Sequence, residues 1–406
     1  MKTISTTIGK LFLCLGLLAF SAVGVWAGGA KEGATSSAPV KIGFIGPLTG
    51  DYANYGKLMT QAIKIAVEER NANGGIDGHN VQMVAEDSEG KQEKAVAAME
   101  KLASVDRILG LVGAVFSSSS LAIAPRAQQE KIVMISPSST HPDLTNKGSF
   151  IFRDVVSDDV QAKVFAKYVY QDMGLRSVAI LYTKNDYSQG LANGFKAQFE
   201  AEGGKIVGME SGMQGDKDFK TQLTNIKATN PQAIYMPDYV AEINQILQQT
   251  QQLGMTGVKM LATDGFSNPE ILQLAGPLAN GVVYSGPELE KNPLQVAFET
   301  KYEAKWTDKP DSFSLNAYDA ANILFDAIQA VYQSASPADQ KSLNLDRDAI
   351  RAKVAAVEGY KGVSGEISFA PNGDAIKNQG ILTVANGQYK QLGVYKITDN
   401  KLVQVK

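Results

Sequence analysis

Hydroxyl-bearing residues follow two predicted strands, where a ligand could be held. A serine run from Ser117 to Ser120 comes directly after the predicted strand 109–112 and begins a helix, and Ser138 and Thr140 follow the next strand. Serine hydroxyls and the unpaired N–H groups of a helix's first turn suit a carboxylate, and the helix dipole favours negative charge there. We therefore predict a carboxylate-binding corner. The open alternative is that the serine run is a flexible polar loop.

Asp264 and three tyrosines occupy further strand ends. Asp264 follows the predicted strand 259–262 and supplies a negative charge that would match an α-ammonium group. Tyr55, Tyr187 and Tyr239 each close a loop after a strand, where a ring buries apolar area and keeps a polar hydroxyl. We predict that these residues form the cation site and the pocket walls for a small zwitterion. The alternatives are a turn cap for Asp264 and surface packing for the tyrosines.

Motifs of catalysis, nucleotide binding and metal binding are missing from the sequence. No Gly-x-Ser-x-Gly or His-Glu-x-x-His motif occurs, and the glycines after the first strand lack dinucleotide-binding spacing. The chain has two histidines, His79 in a turn and His141 beside a strand end, and a single cysteine, Cys14. One cysteine excludes a disulfide framework and a thiolate metal site. We expect no cofactor, no metal and no catalytic residue.

Length and charge are typical of a large, near-neutral globular protein. The chain has 406 residues, 39 Lys and Arg against 42 Asp and Glu, and a formal net charge of −3. Such a chain, with 44% hydrophobic residues, is too long for one compact core, so we predict two domains. Nucleic acid is not an expected partner, because its recognition needs a strongly basic surface.

The first 27 residues are typical of a secretory signal peptide. Lys2 and Lys10 precede the apolar run 11–20, which is followed by a small-residue site ending at Ala27. We predict cleavage near Ala27, export to the periplasm, and a flexible tether over residues 28–39, which are mostly small or polar. An uncleaved N-terminal anchor is the alternative. No later segment approaches the roughly 18 apolar residues expected of a membrane span.

Strands and helices alternate along the rest of the chain. Hydrophobic patterns predict strands at 40–45, 81–85, 109–112, 132–135, 178–182, 205–209, 233–236 and 259–262. They predict helices around 58–66 and at 91–103, 160–170, 191–200, 219–228, 243–253, 293–306 and 317–331, and one that ends at Gln129. This alternation predicts an α/β fold of two doubly wound parallel-sheet lobes. The segments 365–369, 380–384 and 389–397, separated by Asn-Gly turns, predict antiparallel hairpins.

The predicted strand ends should meet around one cleft. Ligands of open α/β sheets bind beyond the carboxyl ends of the strands, and two facing lobes bring both sets of ends together. The loops expected to line the cleft are 47–55, 116–120, 136–140, 183–187, 237–239 and 263–266. These loops hold the hydroxyl, carboxylate and tyrosine candidates described above.

Six segments of the sequence carry a resemblance to a known family. They are KIGFIGPLTGDYANYG (41–56), NANGGIDG (71–78), SSSS (117–120), ISPSSTHPDL (135–144), NDYSQGLANGF (185–195) and ATDGFSNPEI (262–271). Together they resemble the periplasmic leucine/isoleucine/valine-binding proteins, which are the extracytoplasmic receptors of branched-chain amino-acid ABC transporters. The segments occur in the family's order over essentially the whole chain from Val40 to Val394. Together they are specific, whereas any one alone would be weak.

The resemblance implies a fold and a set of residue roles. The fold is the type I periplasmic binding fold, in which three crossings join two lobes, here 40–157 with 287–362 and 158–286 with 363–406. Ser117 and Thr140 match the hydroxyl positions that bind the ligand carboxylate, and Val115 and Ser138 match positions of backbone contacts. Tyr239 and Asp264 match the positions that hold the ligand ammonium. Tyr55 and Tyr187 match the wall around the ligand side chain, and we expect Phe313 to belong to this wall as well.

Two positions depart from the family pattern. Asp264 stands where the branched-chain binders commonly carry the longer Glu, and Phe116 stands where some carry a disulfide cysteine. The first departure leaves the ligand open, because relatives bind other amino acids, amides or small carboxylates. The second agrees with the single cysteine of the sequence.

The sequence therefore predicts a monomeric, non-enzymatic receptor. We expect its lobes to close around one small amino acid, Leu, Ile or Val, and to deliver it to a membrane ABC permease. One alternative keeps the fold but binds an amide, a short carboxylate or an aromatic compound. Another is a secreted hydrolase that uses a cleft hydroxyl such as Ser117.

Overall fold

The computed structural model describes residues 38–406 of the chain. The predicted signal peptide, and the predicted tether as far as residue 37, lie outside these residues. No helix within 38–406 is long and apolar enough to cross a membrane.

The described chain forms short strands that alternate with helices. The strands are β1 (Val40–Gly46), β2 (Val81–Asp87), β3 (Gly110–Gly113), β4 (Val133–Ser136), β5 (Ile151–Arg153), β6 (Ser177–Thr183), β7 (Lys205–Gly212), β8 (Ala233–Tyr235), β9 (Lys259–Ala262), β10 (Val283–Gly286), β11 (Tyr360–Gly362), β12 (Gly365–Ile367), β13 (Gln379–Ala385), β14 (Gln388–Thr398) and β15 (Lys401–Gln404). The α-helices are α1 (Ala53–Ala72), α2 (Gln92–Lys101), α3 (Ser117–Gln129), α4 (Asp158–Gln171), α5 (Asp186–Ala201), α6 (Lys220–Ala228), α7 (Val240–Gln252), α8 (Glu270–Leu274), α9 (Pro293–Trp306), α10 (Ser312–Ser334), α11 (Pro337–Ser342) and α12 (Arg347–Ala355).

Two large sheets organise the molecule. The first sheet has five parallel strands in the order β2-β1-β3-β4-β5. The second sheet has eight strands in the order β15-β14-β13-β10-β9-β8-β6-β7. The strands β6, β7, β8, β9 and β10 of this sheet are parallel to one another. The strands β13, β14 and β15 extend the sheet beyond β10 with antiparallel pairs. A small two-stranded sheet pairs β11 with β12.

Helices cover both faces of the first sheet, because its strands alternate apolar residues between two cores. Ile45 and Leu111 pack with residues of α2 and α3, such as Ile123, in one buried cluster. Phe44 and Val112 belong to the other cluster, which includes residues of α1 and α10. Burial of each such side chain contributes roughly 1.5–3 kcal/mol. Burial on both faces is what a parallel sheet requires.

The chain passes between the two sheets three times. It leaves the first sheet between β5 and α4, and α4 packs on α5 and on strands of the second sheet. It returns to the first sheet between β10 and α9, as the packing of α9 and α10 on α1 shows. It passes to the second sheet again between β12 and β13, since β13 pairs with β10. The predicted α/β class, with two doubly wound sheets and three crossings, is confirmed.

Some predicted details were wrong or missed. The segment 365–369 does not form a hairpin with 380–384, because β12 pairs with β11 and β13 pairs antiparallel with β10. The hairpin of β13 and β14 is confirmed, with its turn at Asn386-Gly387. The strands β5, β10, β11 and β15 and the helices α8, α11 and α12 were not predicted. The four strands have three or four residues each, too few for a periodic pattern.

A buried arginine ties a strand-end loop to the third crossing. Arg153 is completely buried, and its Nη1 donates to the carbonyl oxygens of Thr140 and His141, both at 2.7 Å. Its Nε pairs with Asp374 Oδ1 at 2.5 Å. Asp374 lies between β12 and β13. The guanidinium therefore fixes the loop that carries Thr140.

Replacing this arginine should destabilise the fold strongly. We expect Arg153→Met to lower the free energy of unfolding by roughly 3–5 kcal/mol, since the change leaves buried carbonyls and a carboxylate without their charged partner. Lys131→Met is the matched control, because the Lys131–Asp348 pair is more than half exposed on both sides and should be worth no more than about 1 kcal/mol. Urea unfolding measures both. Equal losses in the two variants would contradict the assigned role.

Candidate functional site

The first turn of α3 brings the serine run to the edge of the first sheet. Ser117 is the first residue of the helix and is 2% exposed. Phe116, with extended backbone at φ −92° and ψ 144°, occupies the N-cap position. The serine run is therefore not a flexible polar loop, so that alternative is wrong. The serines form the first turn of α3, and Phe116, not a serine, is the N-cap residue. The first N–H groups of a helix have no partner within the helix, so they remain able to bind an anion.

The neighbouring strand-end loop is held against this turn by serine hydroxyls. Ser138 Oγ donates to the carbonyl oxygen of Val115 at 2.7 Å, and Ser139 Oγ lies 2.7 Å from Ser120 Oγ. Thr140 is completely buried, and its carbonyl oxygen accepts from the backbone N–H of Asp158 at 2.9 Å. The two loops that were predicted to hold a carboxylate are thus one rigid corner.

Asp264 is buried at the carboxyl end of β9. The residue is 3% exposed, and its Oδ1 accepts from Tyr187 Oη at 2.7 Å while its Oδ2 accepts from Gln161 Nε2 at 3.2 Å. Burial raises the pKa of this carboxyl to about 6, and the donors Tyr187 and Gln161 oppose the rise. The group is therefore an ionisable carboxylate in a dry setting, where a cation would be attracted strongly.

The three predicted tyrosines are buried and converge, so the surface-packing alternative is wrong. Tyr55, on α1, Tyr187, on α5, and Tyr239, the N-cap of α7, are each 6% exposed or less. Tyr55 Oη donates to the carbonyl oxygen of Gly265 at 2.7 Å and accepts from the N–H of Val240 at 3.2 Å. The hydroxyl of a residue on α1 therefore joins two loops of the second sheet.

Aromatic rings close the space between the sheets. Tyr239 is sandwiched between Phe116, with ring centroids 4.1 Å apart and an interplanar angle of 20°, and Tyr187, at 4.9 Å and 13°. Tyr55 meets Phe116 edge-on at 5.7 Å and lies 6.4 Å from Phe313. Aromatic pairs of this kind contribute about 0.5–1.5 kcal/mol each beyond the area they bury.

Seven of the nine predicted site residues line one small cavity. Its volume is about 10 Å³, and the predicted residues around it are Tyr55, Val115, Ser138, Tyr187, Tyr239, Asp264 and Phe313. Phe116 and Gly265 complete the lining. Ser117 follows Phe116 directly, and Thr140 lies two residues beyond Ser138, so both are adjacent to the lining without forming part of it.

Sequence reasoning missed several residues of this site. Phe116 was placed in the predicted cleft loop 116–120 and noted as a departure from the family, but it was not predicted as a site residue. Gln161 lies inside α4 and donates to Asp264, and no strand-end pattern could have indicated it. Tyr52 lies in a predicted cleft loop, and its hydroxyl donates to the buried Glu242 across the cleft.

Two larger cavities adjoin this site. One, of about 970 Å³, lies among the three crossings and shares Asp264 and Phe313 with the small cavity. The other, of about 690 Å³, lies at the cleft mouth between the loops around Asp51 and Asp186. No group of three or more potential metal ligands occurs among residues 38–406.

Comparison with known proteins identifies the family. The family model described as periplasmic binding protein matches residues 39–388. The chain belongs to the periplasmic binding protein family. Among curated proteins, the leucine-, isoleucine-, valine-, threonine- and alanine-binding protein of Pseudomonas aeruginosa is 28% identical over 380 residues, covering 93% of this chain and 95% of the relative.

Solved structures of periplasmic binding proteins share the architecture. The leucine-binding protein LivK of Thermotoga maritima has a TM-score of 0.80 and 32% identity, covering 87% of this chain and 98% of that one. The branched-chain amino-acid transporter substrate-binding protein LivJ of Streptococcus pneumoniae, solved in complex with isoleucine, has a TM-score of 0.78 and 26% identity, covering 90% and 99%. The predicted resemblance is confirmed.

Replacing the buried carboxylate of this periplasmic binding protein should stabilise the fold without ligand. The raised pKa of Asp264 means that folding disfavours its ionisation, so stability falls as pH rises from about 4 to above 6. We expect Asp264→Asn to raise the free energy of unfolding by roughly 1–3 kcal/mol at pH 7 and by much less at pH 4. Urea unfolding at both pH values measures this. Asp143→Asn, at an exposed position, is the control. An equal effect at both pH values would refute the prediction.

Proposed function

We propose that this chain is the extracytoplasmic receptor of an ABC importer and that it binds leucine, isoleucine or valine between two lobes. The lobes are residues 40–157 with 287–362 and residues 158–286 with 363–406. The strands of the two large sheets lie within these ranges, and the small sheet of β11 and β12 spans the third boundary. The observation that carries the proposal is the convergence of hydroxyl, carboxylate and aromatic groups from both sheets on one buried point.

The carboxylate of the ligand is held by the corner of the first sheet. Ser117 and Thr140 donate hydroxyl groups, and the backbone around Val115 and Ser138 adds contacts. The first turn of α3 contributes its N–H groups and its dipole, which favours an anion by about 0.3–2 kcal/mol. The serine bonds within the corner hold these donors in place before the ligand arrives.

The ammonium group of the ligand is held by the second sheet. Asp264 offers its carboxylate, and Tyr239 lines the same cavity. Tyr187 and Gln161 already donate to this carboxylate, so its orientation is fixed. A bound ammonium stabilises the ionised form, which burial alone disfavours.

The side chain of the ligand faces rings. Tyr55, Tyr187 and Phe313 form the wall, and an aliphatic group there loses water without leaving a polar group unpaired. Relatives named above bind leucine, isoleucine and valine, and one solved neighbour holds isoleucine. These names and the ring-lined wall support a branched aliphatic side chain.

Closure follows from the division of the site between two sheets. Contacts already cross the cleft: Asn54 Nδ2 donates to Asn268 Oδ1 at 2.8 Å, and Lys217 pairs with Asp51 at 2.7 Å. A ligand that touches both sides binds only the closed arrangement tightly, so it shifts the population towards closure. A shape change of this kind is what a transporter could detect.

The proposal includes an exported monomer that carries out no catalysis. Both histidines have other partners: His79 bonds to the carbonyl oxygen of Ala38 and to Tyr332, and His141 Nδ1 accepts from the N–H of Asp143. Ser117 therefore lacks a histidine base, which argues against the hydrolase alternative. The signal peptide and the ABC permease as partner are part of the same proposal.

Ligand analogues test the two charged ends separately. We expect titration calorimetry to show binding of leucine, with leucinamide and 4-methylpentanoate each at least tenfold weaker. Ser117→Ala should weaken leucine by about tenfold to a hundredfold and leucinamide much less, since a hydrogen bond to a charged group is worth about 1.5–3 kcal/mol. Ser104→Ala, at an exposed position, is the control. Failure of all twenty amino acids to bind would reject the proposal.

Acid should weaken binding through Asp264. Its pKa of about 6 means that the carboxyl gains a proton as pH falls below 6 and then no longer attracts an ammonium. We expect the Kd of leucine to rise about tenfold from pH 7 to pH 5. Asp264→Asn should bind weakly at both pH values and lose this dependence. A wild-type affinity that is independent of pH would contradict the role of Asp264.

The alternative ligand class has one observation in its favour. Because Asp264 and Phe313 border both the small cavity and the cavity of about 970 Å³, a ligand larger than an amino acid would find space on their far side. Benzamide and benzoate in the same calorimetric panel test this alternative. Tighter binding of either compound than of leucine would favour it.

A further inference from the structure

We propose that Phe116 sets the size of the side chain that the site accepts. This inference rests on the proposed function, since it concerns the amino acid held in the same cleft. Phe116 lines the small cavity directly and precedes Ser117, which we place on the ligand carboxylate. A ligand held at Ser117 and Asp264 therefore has its side chain close to this ring.

Packing fixes the Phe116 ring on three sides. It stacks on Tyr239, and it meets Tyr52 and Tyr55 edge-on with centroids 5.4 and 5.7 Å away. The ring also covers the backbone of Gly90: a Cβ at Gly90 would lie 3.0 Å from Phe116 Cε2. Gly90 has φ +73°, a conformation that favours glycine, so the loop after β2 leaves room for the ring. The phenyl group therefore forms a firm wall.

Phe116, like Phe313, is a wall residue whose size can change without breaking a side-chain hydrogen bond, and it is the one that lies against Gly90 and Tyr52. The Tyr55 hydroxyl bonds to Gly265 and Val240, and the Tyr187 hydroxyl bonds to Thr263 and Asp264. Shortening either tyrosine leaves buried polar groups unpaired. Phe116 has no polar side-chain atom and is 4% exposed. Its volume alone thus decides how far the cavity extends towards Gly90 and Tyr52.

A smaller residue at position 116 should change which ligand fits best. With the phenyl ring present, the cavity holds only about 10 Å³, so a ligand side chain that extends towards Gly90 and Tyr52 meets the ring. Without it, an aromatic side chain of the ligand could stack on Tyr239 in the place of the Phe116 ring. A small side chain such as that of valine would instead face a void and lose contacts.

A loss of closure and a change of pocket size affect the measured Kd values differently. The stack of Phe116 on Tyr239 crosses the cleft, so losing it also weakens the closed arrangement. Weaker closure raises the Kd of every ligand by a common factor, because the competent state becomes rarer for all of them. A change of pocket size alters the ratio of Kd values between ligands. The ratio is therefore the decisive readout.

The test is calorimetric titration of valine, leucine and phenylalanine into four proteins: the wild type, Phe116→Leu, Phe116→Ala and the control Phe369→Leu. Phe369 is similarly buried but packs on Phe152 outside the cavity lining. We expect the ratio of the phenylalanine Kd to the leucine Kd to fall about tenfold or more in Phe116→Ala, and less in Phe116→Leu. The valine Kd should rise more than the leucine Kd. The control should keep the wild-type ratios.

Other outcomes overturn the proposal. Equal rises of all three Kd values would assign Phe116 to closure alone, and unchanged ratios would exclude a role in selection. If Phe116→Ala does not fold, by circular dichroism and thermal melting, the milder Phe116→Leu decides through the same ratio. A wild type that binds none of the twenty amino acids would instead reject the proposed function, which separates the two failures.

Discussion

One buried hydroxyl determines how the two halves of the site face each other. Tyr55 Oη, carried by α1 beside the first sheet, donates to the carbonyl oxygen of Gly265 and accepts from the N–H of Val240. Both partners follow strands of the second sheet, so this hydroxyl ties the strand ends of the two sheets together at the centre of the site. The aromatic stack of Phe116, Tyr239 and Tyr187 fills the space that remains. Without this connection, the donors near Ser117 and the carboxylate of Asp264 could not hold one small molecule.

The arrangement of the site buries several carboxyl groups, and this burial has an energetic cost. Burial raises the pKa of Asp264 to about 6 and that of Asp238 to about 7, and it raises the pKa of Glu242 as well. Each buried carboxyl costs stability in the ionised form. Asp238 is compensated by Thr183 and Ser188, and Glu242 by Tyr52 and the N–H of Gly215. Tyr187 and Gln161 compensate Asp264 in part, and in our proposal a ligand ammonium adds the opposite charge that these neutral donors do not supply.

The sequence was informative wherever function depends on strand ends. The positions of Ser117, Tyr239 and Asp264 follow from the rule that parallel strands present their carboxyl ends to a ligand. The sequence was uninformative where the pairing of a strand depends on a sheet edge that is distant in the chain. Asn372-Gly373 is a local turn signal, yet β13 joined the open edge of β10, and Asp374 in that loop instead bonds to Arg153. Gln161 reaches the cleft from inside α4, and the partner of Tyr52, Glu242, lies far away in the chain, so no local pattern encodes either contact.

Closure of the two lobes on an amino acid would shorten the distance between residues on opposite sides of the cleft, and this distance can be measured with spin labels. The only cysteine of the sequence is Cys14, so residues 38–406 can carry two introduced spin labels at defined places. Val96→Cys and Met213→Cys, in a Cys14→Ser background, place one label on each side of the cleft at exposed positions. We predict that saturating leucine shifts the pulsed electron–electron distance distribution between the two labels to shorter, narrower values. A distribution that leucine leaves unchanged would contradict this prediction.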